Sequence, residues 1–442
     1  MENLAEELSA PVPGTSIAII GAGWAGLACA VDCVRRGLQP TLFEAGPQPG
    51  GRARTVPMDG LPLDNGQHIL IGAYSETLAL MRTVGADPDT LFDRLPLALE
   101  FDDGFALRAR GSSRLALALA FIGARGLGWR DRLAALRLMG AIRRPPPADE
   151  SVAALLARTG QTASCIRHLW APLCVAALNT GIDDASARVF ARVLADSLMG
   201  EPGAADLLLP RADLGALLPE PALFWLRARG VAVHCGTRVR SVRETATGFE
   251  LDCGEQLHSA ERVVFATSPH QLPALLDGLP ALDPISRAVH ALEYEAISTV
   301  YVACDAQTRL PSAMTGFVDG EPHWVFDRGA LGGPPGLLAC VVSAARGSRE
   351  EVESRVLAAL KRQFPALPEP LWVRTISERR ATFRCTPGRA AIEPPADPRI
   401  ALAGDYLIPD YPATLEAAVR SGLTAASRLA RASCKTQDSS GT

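Results

Sequence analysis

The 442-residue chain has little lysine, few aromatic side chains (5%) and no apolar run long enough to cross a membrane. Two of its 44 basic residues are lysine, Lys361 and Lys435, so reactions that need a lysine amine have few candidates. The longest apolar stretch, residues 115–124, is about half of the roughly 20 residues that a transmembrane helix requires. The net charge of −4 disfavours a nucleic-acid partner, because such binding depends on a basic surface.

The ten cysteines include no Cys-x-x-Cys pair. Zinc sites and disulfide frameworks use recurring cysteine spacings, so we expect free thiols, a reducing compartment and no bound metal. No apolar run precedes a cleavage-like site near the start of the sequence, so we expect no secretory signal and a cytoplasmic protein. With 48% hydrophobic and 21% charged residues, the composition is that of a globular protein.

A strand followed by a glycine-rich turn is the first functional signal. Residues 16–20 are apolar and lead into Gly21-Ala22-Gly23-Trp24-Ala25-Gly26, which has the Gly-x-Gly-x-x-Gly spacing. The first glycine permits a tight turn, the second lets the backbone approach a pyrophosphate, and the third allows close helix packing. The helix N-terminus around Trp24 and Ala25 is expected to bind the phosphates.

Glu44 ends the next apolar strand, where a dinucleotide-binding fold places a ribose-binding acid. Its carboxylate suits the ribose hydroxyls of FAD or NAD and would repel the 2′-phosphate of NADP. Ala45 follows, and then Gly50-Gly51-Arg52, a second turn that can cross the same pyrophosphate through Gly51 and Arg52. A solvated turn is the alternative, but this second element favours FAD over a nicotinamide cofactor.

A second cofactor-binding element is expected near the C-terminus. Residues 400–402 are an apolar strand, and Gly404, Asp405 and then a helical run follow. Asp405 can hold a ribitol hydroxyl of FAD. The amides of Thr414 and Leu415, at the positive helix end, can stabilise negative charge on a reduced flavin.

These elements carry a family resemblance. The stretches GAGWAGLACA, GGRART, LAGDY and YPATLEAAVRSG resemble the flavin amine-oxidase and phytoene-desaturase superfamily. The stretches LDNGQHILIGAY, LCVAALNTGIDDASARVF, ERRATFRCTPG and DYPATLE resemble the hydroxysqualene dehydroxylase family. The resemblance implies an α/β fold, with a Rossmann-like FAD-binding domain of the amine-oxidase, glutathione-reductase-like type and an inserted α+β substrate-binding domain.

The resemblance also implies discontinuous domains. The expected FAD-binding domain consists of residues 15–75, 206–270 and 396–431. The expected substrate-binding domain consists of residues 76–205 and 271–395. Residues 1–14 and 432–442 are expected to be flexible tails. The family pattern further implies that the backbone of Val239 contacts the adenine and that Thr267 lies near the ADP half. It places Gly66 and Gln67 beside the isoalloxazine ring.

Members of the resembling family use reduced FAD to replace the allylic hydroxyl of hydroxysqualene with hydride, which gives squalene for hopanoid or related triterpene synthesis. This chemistry needs a proton donor for the leaving hydroxyl and a site without water. His68 is the first candidate donor, Asp64 is the alternative, and Arg380 could order a water or the flavin. A lone histidine in an apolar run is also often a core residue, and strand arginines often face solvent.

Two other functions remain open from the sequence. A carotenoid or polyene desaturase would run FAD in the oxidative direction, and a non-catalytic flavoprotein would only bind prenyl lipid. Amine oxidation is disfavoured, because neither lysine falls beside the expected flavin site and Thr414 occupies a position that is often aromatic in amine oxidases. An apolar triterpenoid substrate is the expectation.

Two further partners are expected. No second Gly-x-Gly-x-x-Gly follows a strand, so an external electron donor must reduce the FAD. Residues 110–144 contain eight arginines and one acid, Asp131, interleaved with large apolar residues. This pattern favours peripheral contact with the inner face of the cytoplasmic membrane, and a pair of ordinary helices with solvated arginines is the alternative.

Overall fold

The computed structural model describes residues 16–58, 60–143 and 148–439, with side chains as far as residue 431. The strands in chain order are β1 Ser16–Ile20, β2 Gln39–Glu44, β3 Thr55–Met58, β4 Leu61–Asp64, β5 Leu70–Ile71, β6 Phe92–Leu95, β7 Ala98–Glu100, β8 Ala106–Arg108, β9 Leu207–Pro210, β10 Val233–Cys235, β11 Ser241–Thr245, β12 Gly248–Asp252, β13 Leu257–Ala260, β14 Arg262–Phe265, β15 Tyr294–Ala303, β16 Met314–Gly316, β17 Trp324–Asp327, β18 Leu337–Ser343, β19 Trp372–Phe383 and β20 Ile400–Leu402.

The helices in chain order are α1 Trp24–Arg35, α2 Ser75–Thr83, α3 Pro88–Leu91, α4 Arg114–Gly123, α5 Trp129–Ala141, α6 Val152–Arg158, α7 Ala163–Cys165, α8 Ala171–Leu178, α9 Ala187–Leu198, α10 Leu214–Leu217, α11 Pro219–Arg227, α12 Leu272–Leu276, α13 Asp283–His290, α14 Arg349–Gln363 and α15 Leu415–Ser439. A π-helical turn, Ile166–Trp170, joins α7 to α8. In the described ranges, no helix combines the length and the apolar character needed to span a bilayer.

Five parallel strands, in the order β10-β2-β1-β14-β20, form the sheet that carries the glycine-rich turn. The expected strands at residues 16–20 and 400–402 are both found in it. In β1, Ile17 and Ile19 belong to the core cluster formed with α1 and α15, whereas Ala18 and Ile20 belong to the larger core shared with the antiparallel β11-β12-β13 sheet. The FAD-binding architecture is therefore the expected Rossmann-like α/β type.

The second sheet is antiparallel, and its strand order is β16-β17-β18-β15-β19. Side chains alternate across each strand, so the sheet has two different apolar faces. One face, which includes Cys340 and Val342, packs against α14. The other face, which includes Trp324, Phe326 and Val341, lines a large cavity.

Two features cross the predicted domain boundaries, which themselves remain a prediction. Strand β9 belongs to the segment assigned to FAD binding, yet it pairs with β6 in the segment assigned to substrate binding. Helix α15 continues to Ser439, beyond residue 432 where a flexible tail was expected. Residues 1–14, the other expected tail, lie outside the described residues.

Glu416 fixes the first turn of α15 against α2. Its wholly buried carboxylate accepts hydrogen bonds from the Thr77 amide at 2.9 Å and the Thr77 hydroxyl at 2.7 Å, and Arg420 Nε donates to it at 2.8 Å. A carboxylate at the N-terminus of α2 is stabilised by the helix dipole as well as by these donors. The start of α15 is thereby held at the cavity wall.

Candidate functional site

The glycine-rich turn has the conformation that its spacing predicts. Gly21 has a φ of +108°, and a Cβ atom there would lie 2.5 Å from the carbonyl oxygen of Ala266. A Cβ at Gly26 would lie 1.9 Å from the carbonyl oxygen of Gly21. Gly23 differs, because its φ is −70° and a Cβ there would meet only Gly51 Cα, at 3.8 Å. The missing side chain at Gly23 therefore leaves a gap beside Gly51 and is not needed to avoid a steric clash.

The second turn closes that gap from the other side, as expected. The Gly50 amide donates to the carbonyl of Ala22 at 2.8 Å, and a Cβ at Gly51 would lie 3.2 Å from Gly23 Cα. Trp24 Nε1 donates to the Ala53 carbonyl at 3.0 Å, which ties α1 to the same turn. The amides of the first turn of α1, where Trp24 and Ala25 line the cavity, have no acceptors within the helix. Two glycine turns and a helix N-terminus thus surround one space suited to a pyrophosphate.

Glu44 lies at the end of β2, and both Glu44 and Ala45 line the cavity. Oε2 of Glu44 accepts from the Ala22 amide at 2.8 Å, and Oε1 accepts from the Gly46 amide at 2.7 Å. These bonds orient the carboxylate beside the glycine-rich turn. An acid held there can accept further bonds from ribose hydroxyls.

Polar groups at the same end of the cavity lack partners. Thr267 Oγ1 is buried and has no hydrogen-bond partner in the described part of the chain. Val239 lies in the loop between β10 and β11, and neither its amide nor its carbonyl bonds to another described residue. Buried polar groups are nearly always paired, so these positions indicate a ligand.

Arg52 and Asp405 meet directly. Arg52 Nη2 donates to Asp405 Oδ2 at 2.7 Å, and Nη1 donates to the Ala381 carbonyl at 2.6 Å. The predicted phosphate-binding arginine and ribitol-binding acid therefore lie side by side at the cavity wall, together with Gly404. The Gly404 amide is fixed by a 2.8 Å bond to Ser421 Oγ.

Thr414 and Leu415 line the cavity at the start of α15. Thr414 caps the helix, because its hydroxyl accepts from the Ala417 amide at 3.1 Å. The next amides along the first turn have no acceptors within the helix and form its positive end. This end of the helix can stabilise a negatively charged ligand group.

The segment from residue 65 to 69 also lines the cavity. Gly66 has a φ of +100°, which turns the backbone sharply after β4. The Gln67 amide donates to Thr299 Oγ1 at 3.4 Å, and Gln67 Oε1 accepts from Arg328 at 3.1 Å. Gln67 is therefore anchored to the second sheet at the cavity wall, and its contact with an isoalloxazine ring stays a prediction.

His68 is the predicted proton donor that the structure does bring to the cavity. Its Nδ1 lies 2.9 Å from the Gly66 carbonyl oxygen and donates to it, since a carbonyl can only accept. Burial lowers the pKa of His68 below 6.5, and the charge of Arg52 lowers it further. The neutral ring therefore carries no proton on Nε2. Nε2 becomes a hydrogen-bond donor only when the ring is protonated at lower pH.

Asp64 is not brought to the cavity. Its Oδ1 accepts from the Leu214 amide at 2.8 Å at the start of α10, and its carbonyl accepts from Tyr301 Oη at 3.0 Å. Burial raises the pKa of Asp64 to about 6. These contacts give its side chain a structural position between β4 and α10, away from a substrate in the cavity.

Arg380 lies at the polar end of the cavity, on β19, and is exposed. Its charge helps to lower the pKa of His270, for which burial is the larger cause. This end of the cavity also holds Arg52 and Asp405. Arg380 therefore lies with Arg52 and Asp405 at the polar end of the cavity, where it can order a water or part of a cofactor.

The same cavity continues into an apolar chamber. Its total volume is about 1320 Å³, which exceeds the roughly 300–1,000 Å³ typical of a site for one small ligand. The walls of the chamber include Leu99, Phe190, Leu194, Trp324 and Phe326. There is room for a dinucleotide and for a second, apolar molecule.

Several wall residues were not identified from the sequence. Tyr74 and Tyr411 line the cavity near the start of α15, and burial raises the pKa of Tyr411 to about 12. On α9, six residues line the cavity, and most of them recur at the helical spacing of three and four residues: Phe190, Val193, Leu194, Asp196, Ser197 and Leu198. That spacing was available in the sequence, whereas nothing local marked the tyrosines.

The donor set fits FAD. Glu44, Val239 and Thr267 would hold the adenosine half, the two glycine turns the pyrophosphate, and the start of α15 the flavin. The gap that a Cβ at Gly23 would fill and the unpartnered hydroxyl of Thr267 are what such a ligand requires. Among the residues that the structure describes, no group of three or more His, Cys, Asp and Glu side chains is placed to hold a metal ion.

Comparisons with known proteins agree with this geometry. The family model described as flavin containing amine oxidoreductase matches residues 24–430. The hydroxysqualene dehydroxylase of Rhodopseudomonas palustris is 30% identical, over 93% of this chain and 97% of that protein. A probable zeta-carotene desaturase of Synechococcus elongatus is 25% identical, over 94% of this chain and 98% of that protein. The solved structure of a putative protoporphyrinogen oxidase from Exiguobacterium shares the fold, with a TM-score of 0.69, 19% identity and coverage of 95% and 99%.

Proposed function

Because the chain belongs to the flavin-containing amine oxidoreductase family and resembles hydroxysqualene dehydroxylases over nearly its whole length, we propose that it converts hydroxysqualene to squalene. The family makes it an FAD-dependent oxidoreductase. The dehydroxylation is supported above all by one observation, the continuity of the dinucleotide gap with a large apolar chamber whose described wall includes His68 and no lysine. Lys361 is 80% exposed on α14 and pairs with Glu369.

In the proposed reaction the allylic C–O bond breaks, the hydroxyl gains a proton and leaves as water, and a C–H bond forms. The two glycine turns, Glu44 and the start of α15 would hold reduced FAD, which would supply the hydride for the new bond, and an external donor would restore its reduced form. The apolar walls exclude water that would otherwise capture the allylic cation. They also accept a long hydrocarbon without leaving polar groups unpaired.

His68 would act on the leaving hydroxyl through Nε2, because Nδ1 is engaged with the Gly66 carbonyl. The neutral ring can position the hydroxyl as an acceptor, and the protonated ring can donate a proton to it. The capped start of α15 would stabilise the anionic cofactor, which keeps the hydride donor charged in a largely apolar site.

A second candidate, polyene desaturation, is supported by the match to the zeta-carotene desaturase over 94% of the chain. In that reaction a C–H bond of the substrate gives up hydride to oxidised FAD, and a proton leaves from the neighbouring carbon. The same apolar chamber would serve. The direction of electron flow distinguishes the two functions.

The test is a pair of anaerobic incubations of the FAD-loaded protein. Dithionite-reduced protein receives hydroxysqualene, and oxidised protein receives an acyclic carotenoid precursor. The proposal expects squalene from the first and no new conjugated double bonds from the second. His68→Gln should slow the first reaction strongly, with His290→Gln, an exposed substitution on α13, as the matched control. Polyene product from the second incubation alone would support the desaturase, and binding without turnover in either would support a lipid-binding protein.

A further inference from the structure

Helix α4 carries two apolar stripes, of which only one is used by the fold. Ala120 and Phe121 pack toward the main core. On the opposite side Leu115, Leu119 and Ile122 recur at intervals of four and three residues, and they are 56–69% exposed. This spacing places the three side chains in one line along the helix.

Helix α5 repeats the arrangement. Ala135 and Leu138 are buried, whereas Trp129, Leu133 and Leu136, again at intervals of four and three residues, are 43–68% exposed. Six of the ten large hydrophobic side chains that are exposed in the described chain thus lie on two consecutive helices. Single exposed apolar residues are ordinary, but a cluster of this kind marks an interaction surface.

Arginines flank the exposed stripes. Arg125, Arg130 and Arg137 are exposed. The guanidinium of Arg130 lies 5.5 Å from the centre of the Trp129 ring. We call these three arginines and the six exposed apolar residues together the α4–α5 face.

Charge indicates what covers the α4–α5 face. Residues 110–144 carry a net charge of +7 in a chain of net charge −4, so the remainder has an excess of eleven acidic charges. Two copies of this chain docked through the face would bring positive charge against positive charge. An anionic lipid surface instead accepts both the arginines and the apolar side chains, with tryptophan at the interface. We propose that the α4–α5 face docks on an anionic lipid bilayer.

Helix α4 adjoins the apolar chamber through its inner side, where Leu117 packs against the core. A small pocket of about 20 Å³ beside the start of α4 shares part of its wall with the chamber. The shared residues are Leu97, Ser197, Leu198 and Ala205, and α4 contributes Arg114 and Leu117 to the pocket. We call this shared wall the seam. Docking of the outer side of α4 would bring the seam close to the membrane, where an apolar substrate can pass from lipid to chamber. This second step rests on the proposed function, whereas the docking does not.

Binding of the FAD-loaded full chain to sedimented vesicles tests the docking. Vesicles of equal parts phosphatidylglycerol and phosphatidylcholine should bind the protein, and binding should weaken as salt is added. The Leu115→Gln, Leu119→Gln, Ile122→Gln triple variant should bind at least about tenfold more weakly, because its lost apolar contacts are replaced by amides. The Arg130→Gln, Arg137→Gln double variant should lose roughly thirtyfold on these vesicles.

Matched controls use exposed residues elsewhere. Phe224→Gln with Leu257→Gln removes exposed apolar side chains from α11 and β13, and Arg349→Gln with Arg362→Gln removes charges from α14. Both controls should bind vesicles as the unaltered chain does. Thermal unfolding should be unchanged in every variant, since all the altered side chains are exposed. Equal vesicle binding by the face variants and the controls would overturn the proposal.

Two further outcomes also decide it. A dimer in solution that the triple variant converts to a monomer would show that the face joins two copies, and the proposal would be wrong.

For the seam, turnover of hydroxysqualene should fall in the triple variant when the alcohol is supplied in anionic vesicles and persist when it is supplied in detergent. An equal fall in both would overturn delivery from the membrane. Absence of turnover in detergent by the unaltered chain would contradict the proposed function and leave the binding result standing.

Discussion

Arg52 and Asp405 are separated by 353 residues and form an ion pair with an Nη2–Oδ2 distance of 2.7 Å. Asp405 is buried in the turn that follows β20, and Arg52 follows the second glycine turn. The same guanidinium donates to the Ala381 carbonyl on β19. One side chain therefore connects the N-terminal unit, the C-terminal strand and the second sheet at the cavity wall.

This pair should behave as a coupled unit. Arg52→Gln leaves the Asp405 carboxylate buried without its partner and should lower the free energy of unfolding by about 3 kcal/mol, the low end for a buried ion pair because Arg52 is 30% exposed. Asp405→Asn should cost less, and the double variant should recover part of the loss. Urea unfolding of the four proteins gives the interaction energy by a double-mutant cycle. Strictly additive effects would show that the pair contributes nothing.

Alanine substitutions at Gly23 and Gly26 should distinguish loss of cofactor binding from loss of folding. Gly26→Ala places a Cβ 1.9 Å from a backbone oxygen and should leave little folded protein. Gly23→Ala has an ordinary φ and no close contact, so it should fold with a near-normal melting temperature. Its methyl group enters the gap between the glycine turns, so purified Gly23→Ala should lack bound flavin. The ratio of flavin absorbance to protein measures this, and a fully flavin-loaded Gly23→Ala would place the pyrophosphate elsewhere.

His68 should give the reaction an acidic pH dependence. Burial lowers the pKa of His68, so the protonated ring that donates from Nε2 accumulates only as the pH falls below 6.5 through that lowered value. Above it, the single-turnover rate should drop about tenfold per pH unit. His68→Gln should be slow and should lose this dependence. A variant with the same pH profile as the unaltered enzyme would assign the proton to another group.

Asp64 should affect stability rather than turnover. Burial raises the pKa of Asp64 from 3.8 to about 6, so the folded state favours the protonated form. The resulting stabilisation is complete below pH 3.8 and is lost as the pH rises through about 6, by up to about 3 kcal/mol. Asp64→Asn keeps an acceptor for the Leu214 amide and should remove this slope. Urea unfolding across that pH range, with the exposed Asp277→Asn as control, measures it.

The sequence predicted those parts of the site whose residues are neighbours along the chain. The turn from Gly21 to Gly26, Glu44 and the Gly50-Gly51 turn occupy one short stretch in which each residue type has a distinct backbone or hydrogen-bonding task. Their geometry could therefore be inferred before the fold was known. The partnership of Arg52 with Asp405 could not, because both had been assigned to the cofactor and only the fold brings them together.

The remaining site residues depend on tertiary packing. Asp64 lies in the same sequence segment as His68, yet the turn at Gly66 sends the histidine to the cavity and leaves the carboxylate beneath α10. Tyr74 and Tyr411 come from distant segments with no shared local pattern. The outer stripes of α4 and α5 are the reverse case, since their spacing is readable in the sequence but their exposure is known only from the fold.

The most direct measurement is a single turnover in the absence of oxygen. FAD-loaded protein is reduced with one equivalent of dithionite and mixed with hydroxysqualene, and the flavin spectrum is followed while the products are quantified. Reductive dehydroxylation predicts return of the oxidised flavin spectrum with one squalene formed for each flavin oxidised. A flavin that stays reduced beside unchanged alcohol would contradict it.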